Sequence, residues 1–88
     1  MTQELQRRLL FIVHRGLVEA RLLAQAKKHE QLFDLADALE PLPSYMDNWQ
    51  DSNLEAIRFN LKTYQQKYPS PSFDYLRYLD VDPPPERF

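Results

Sequence analysis

Residues 2–28, TQELQRRLLFIVHRGLVEARLLAQAKK, decide the fold class. At about 100° of rotation per residue, Leu5, Leu9, Ile12, Val13, Gly16, Ala20, Leu23 and Ala24 fall on one broad face, the pattern of an amphipathic helix. Thr2 is suited to cap its N-terminus. Gly16 sits near the centre of the apolar face, where glycine costs about 1 kcal/mol relative to alanine. It reads either as a weak point in the helix or as the place where a second helix comes too close for a Cβ; Ala20 and Ala24, small and on the same face, favour close approach. A second apolar stripe, Phe11, Val18 and Leu22, runs along the opposite side. A helix with two apolar sides is either central to its domain or presents one side to a partner.

Outward from this helix the chain is punctuated. Lys27-Lys28-His29-Glu30 is a polar connection without Gly or Pro. The spacing then predicts a second helix over residues 30–40, with Leu32, Leu35, Ala36 and Leu39 inward, stopped by Pro41 and Pro43. So short a link implies an antiparallel αα-hairpin, the alternative being one unbroken helix through residue 29. Residues 41–50 read as a loop whose Tyr45, Met46 and Trp49 tuck onto the helices. Ser52-Asn53-Leu54-Glu55 has the form of a capping box and opens a third helix, 52–68, with Leu54, Ile57, Leu61, Tyr64 and Tyr68 as its stripe. Ser72 caps a short fourth helix, 73–79, with Tyr75 and Tyr78 at its edges. Three prolines at 83–85 make residues 81–88 a loose, extended tail. No strand pattern is present. The expected architecture is an all-α bundle: a single helical domain over residues 1–80.

Composition narrows the chemistry. The chain has 88 residues, enough for one small domain that buries roughly 60 % of its unfolded surface. With no Cys there is neither a disulfide nor a thiolate metal site. With a single Gly, neither the P-loop nor the dinucleotide fingerprint can be built. The apolar run over residues 9–13 is far too short to span a bilayer, and His14-Arg15 follows it at once, unlike a signal peptide; the expected setting is the cytoplasm. Ser44, Ser52, Ser70 and Ser72 fall at caps and turns. His14 and His29 lie on a helix flank and in a connection, without an evident nucleophile or co-ligand. No cofactor and no small-molecule substrate is indicated.

Charge changes sign along the chain. Residues 1–28 carry six positive and two negative side chains, residues 29–51 carry six negative and none positive, and the remainder is balanced, for a net charge of −2. Arg7, His14, Arg21 and Lys28 recur every seven residues and form a basic line on the first helix. Glu30, Asp34 and Asp37 share one face of the second helix, as an acidic ridge whose like charges cost a few tenths of a kcal/mol per pair, roughly, unless something offsets them. Aromatic residues gather in the second half, where most complete the core; Phe59 and Tyr75 are the expected exposed exceptions.

The functional expectation is a non-enzymatic protein-interaction or regulatory module. It would contact a protein partner or a second copy through Phe11, Val18 and Leu22, the basic line, or the acidic ridge. One alternative is binding of nucleic acid or an anionic surface by Arg7, Arg15, Arg21, Lys27 and Lys28; the negative net charge and the acidic second helix oppose a DNA-reading role. The other is a carboxylate-metal enzyme built on Glu30, Asp34 and Asp37, for which three helical carboxylates form an incomplete shell.

Overall fold

In the computed structural model, which describes residues 1–69 and 73–83, the first helix, α1 (Gln3–Gln25), has Thr2 as its N-cap. The Thr2 hydroxyl oxygen accepts from the Leu5 amide at 3.1 Å. Lys27 takes φ 59° and turns the chain back. The Lys28 amide then donates to the Leu23 carbonyl at 2.9 Å and the Lys27 amide to Ala24 at 3.1 Å. This pairing is a Schellman motif with lysine where glycine is usual. It breaks the helix before residue 29, so the unbroken rod is excluded.

The second helix, α2 (His29–Leu39), packs on α1. Gly16 is buried, and a Cβ there would overlap Leu39 Cδ1. Close approach, rather than a weak point, accounts for the glycine. Gly16 and Leu39 lie at nearly equal sequence separation from the turn, the mark of an antiparallel hairpin.

The expected loop over 41–50 is instead largely a third helix, α3 (Pro41–Asp47). Its prolines occupy the first turn, where amides have no intrahelical acceptor, so they begin this helix as well as ending α2. It buries Leu42, and Tyr45, Met46 and Trp49 pack against the core.

The fourth helix, α4 (Ser52–Lys67), has Asp51 at its N-cap with no side-chain capping bond. The Ser52/Glu55 capping box is therefore not formed. Asn53 instead reaches back out of the helix, its Oδ1 accepting from the Gln50 amide at 2.8 Å. The fifth helix, α5 (Arg77–Asp80), is a single turn, shorter than the expected 73–79. Asp74 caps it by accepting from the Arg77 amide at 3.3 Å, and Gln65 of α4 accepts from the Leu76 amide at 3.1 Å. Because residues 73–76 form no helix, Tyr75 turns inward and is only 1 % exposed, which corrects its expected exposure. Ser70, Pro71 and the Ser72 cap lie outside the described residues, as do residues 84–88 of the expected tail.

The α-helical class holds, with no strand among the described residues. One core joins all five helices, with Leu9 and Ile12 of α1, Leu35 of α2, Leu42 of α3, Ile57 and Leu61 of α4, and Leu79 of α5 fully or almost fully buried. Two ion pairs hold the C-terminal segment in place. Arg58 reaches Asp80 through both guanidinium ends at 3.1 and 3.2 Å, and Arg8 reaches Asp82 at 3.0 Å. The chain is thus tied to α1 two residues into the expected tail.

Candidate interaction surface

The side of α1 away from α2 divides into two lines. Along the first, Phe11 meets Phe73 and Tyr78 edge-on, with ring centroids 5.8 and 5.0 Å apart. Beside it the Arg15 guanidinium lies 4.9 Å from the Phe73 ring centre, and Arg8 donates to the Leu79 carbonyl at 3.4 Å. Here α1 is the central helix, covered on both sides. Phe11, expected on a partner surface, is occupied within the molecule because aromatic residues far along the chain fold over it. Val18 is half-buried, and Leu22 is exposed.

The second line is bare. Leu10 and Leu17 are 51 % and 57 % exposed. Seven residues apart, they point within about 20° of each other. Arg7, His14 and Arg21 follow the adjacent line, all exposed. No ion pair among the described residues involves any of the three. A basic border therefore flanks an aliphatic strip that lies about 100° round the helix from Leu9 and Gly16, between the buried face and the Phe11 line. The basic line is legible in the sequence from its heptad spacing, whereas Leu10 and Leu17 are not. Their seven-residue spacing was the available signal, and it becomes legible only once the buried side is known.

The acidic ridge on α2 also divides. Lys67 of α4 places Nζ 2.9 Å from Asp34 and 3.2 Å from Glu30. The Tyr68 hydroxyl donates to the same Asp34 carboxylate. First this hydroxyl and then the Lys67 ammonium hold the Asp34 carboxyl below the usual carboxylate range. In return Asp34 pushes both Lys67 and Tyr68 up. The like-charge cost within the ridge is thus offset by α4. Asp37 remains exposed, as does Phe33 at 65 %, one turn from both Glu30 and Asp37. Among the described residues, no group of three or more His, Asp or Glu is arranged to hold a metal ion.

Between these regions lies a cleft of about 500 Å³, bounded by Val18 and Leu22 of α1, Gln31 of α2, Lys67 and Tyr68, and Phe73. Arg15, Glu19 and Lys28 also line it. Two of its polar groups, Glu19 and Gln31, are committed to tyrosines outside its lining. The Tyr75 hydroxyl donates to Glu19, and Gln31 donates to the Tyr64 hydroxyl at 2.9 Å. Burial pushes the Tyr64 hydroxyl up to about 12 and raises the Tyr75 hydroxyl as well, the Glu19 carboxylate adding to the latter. Arg15 Nε is enclosed without a hydrogen-bond partner among the described residues.

Neither histidine enters this cleft, and both are exposed. No helix among the described residues is long and apolar enough to cross a membrane. No protein-family model, curated protein or solved structure matches the chain.

Proposed function

We propose that this chain is a cytoplasmic, non-enzymatic protein-interaction module whose contact surface is the outer face of α1. The observation that carries this reading is the exposed Leu10/Leu17 strip bordered by Arg7, His14 and Arg21. Exposed side chains of this size return favourable free energy when covered, at about 25 cal/mol per Å² of apolar surface. The basic border contributes less to affinity than to orientation and choice of partner. Both features together fit an acidic amphipathic helix, whose apolar stripe would lie along Leu10 and Leu17 while its carboxylates face the arginines.

Calorimetric titration with a synthetic helical peptide bearing a leucine stripe flanked by glutamates tests this. Binding is expected with a Kd of about 10–100 μM. It should weaken at least tenfold in Leu17→Asp and vanish when lysines replace the peptide's glutamates. Equal binding by wild type and Leu17→Asp would refute the assignment. Tighter, steeply salt-dependent binding to a short DNA or RNA duplex would replace it with the nucleic-acid alternative.

A further inference from the structure

Resting on the α1 contact surface proposed above, we propose that its partner is a second copy of this chain, which docks the outer face of its α2 there in a head-to-tail arrangement. The α2 face has the chemistry that the α1 face lacks. Phe33 stands 65 % exposed at its centre; Asp37 one turn on and Glu40 two turns on are exposed, and Glu30 one turn before it is exposed while paired with Lys67 at 3.2 Å. There is no Lys or Arg anywhere in α2. The α1 face offers an aliphatic strip and a border of Arg7, His14 and Arg21. One face is basic and aliphatic; the other is acidic and aromatic.

The spacing also corresponds. Leu10 and Leu17 are two helical turns apart, about 10 Å along the axis. An aromatic ring fits between them as a knob between two ridges. Glu30 and Asp37 flank Phe33 with the same seven-residue separation that divides Arg7 from His14 and His14 from Arg21. One docked ring therefore brings Asp37 toward the basic line on one side, and on the other Glu30, whose exposed pair with Lys67 the basic line would share. The two faces cannot satisfy each other within one molecule, because α1 and α2 turn their inner sides together at Gly16 and Leu39 and both outer faces stay exposed. Pairing unlike faces leaves a free α1 face at one end of every assembly and a free α2 face at the other. The contact is heterologous and extends beyond a dimer unless a ring closes.

Sedimentation of the full chain tests this from about 10 μM to about 1 mM, the range of weak contacts. The weight-average mass is expected to rise past that of a dimer at low salt. It should fall toward the monomer in about 0.5 M NaCl, where screening shortens to roughly 4 Å. Leu17→Asp and Phe33→Asp alter one face each at well-exposed positions, and unchanged helical circular dichroism verifies their folding. Each alone is expected to remain monomeric, whereas an equimolar mixture forms a heterodimer and nothing larger, because each variant supplies the face that the other has lost. Three results would overturn the proposal: a wild-type chain monomeric throughout, a mixture monomeric while the wild type assembles, or either variant dimerising alone. A monomeric wild type that still binds the glutamate-flanked peptide through Leu17 would eliminate the second copy as partner but keep the α1 surface; loss of both would eliminate both.

Discussion

Leu10 and Phe11 are adjacent in the sequence and both lie away from the buried centre of α1, yet Phe11 is covered and Leu10 is bare. The difference comes from residues more than sixty positions away. Arg8 fixes the C-terminal segment through Asp82 and the Leu79 carbonyl. In the same segment Phe73 and Tyr78 lie along the Phe11 line. Leu10 and Leu17 point about 100° further round the helix, on a side where they stand exposed. An apolar side chain on α1 thus becomes core or contact surface according to which side the last described residues can cover.

The sharpest break of this comparison is to truncate one residue from each line. Phe11→Ala should cost about 2–3 kcal/mol in urea unfolding, because it empties a half-buried aromatic cluster. Leu17→Ala should stay within about 0.5 kcal/mol of wild type, as an exposed position does. Equal losses at the two sites would deny the distinction.

The buried side of α1 gives the next effect. Gly16→Ala gains about 1 kcal/mol in helix propensity but its methyl must displace the Leu39 Cδ1 methyl, the movable end of that side chain, so a net loss of at most about 1 kcal/mol is expected. Leu39→Ala in the same chain should recover part of it. A double-mutant cycle measures the coupling, and simple additivity would contradict the contact.

Ionisation gives a further test. Tyr75→Phe removes the hydroxyl bonded to Glu19 beneath the covered side and should cost about 1–2 kcal/mol at neutral pH. Tyr64 and Tyr75 hold their protons more tightly folded than unfolded. Their contribution is therefore complete below the ordinary tyrosine value of about 10 and is lost as pH rises through the higher folded values. Chemical unfolding at several pH values should find that decline shallower in Tyr75→Phe. At the other end, Asp34 and Asp80 are held below the usual carboxylate range, by Tyr68 with Lys67 and by Arg58. They bind fewer protons folded than unfolded. Stability should therefore fall from about pH 5 downward as they protonate, less steeply in Asp34→Asn.

The smallest effect lies at the turn. Lys27→Gly relieves a left-handed lysine and should raise stability by about 0.5–1 kcal/mol, read from the urea midpoint.

How much of this was legible in the sequence follows from how local each cause is. The Thr2 cap, the hairpin and the meaning of Gly16 were readable, because spacing along one or two helices determines them. The third helix was missed because prolines were read as terminators, although in a first turn they also initiate. Tyr75 was misplaced because its direction depends on where α5 starts, and that start is set by Asp74 together with Gln65 of another helix. For the surface, Arg7, His14 and Arg21 were found from their heptad spacing. Glu30 and Asp34 could not be known to be clasped, because Lys67 and Tyr68 arrive from α4. Phe11 is covered rather than free for a partner for the same reason: hydropathy orders side chains on a helix but does not say which distant segment reaches them.

The most direct test is a dilution series of ¹⁵N-labelled protein followed by two-dimensional NMR. The amides of Leu10, His14, Leu17 and Arg21, together with those around Phe33, should shift with concentration while the neighbours of Phe11 and Phe73 hold still. Spectra independent of concentration, or shifts gathered on the Phe11 side, would contradict the account.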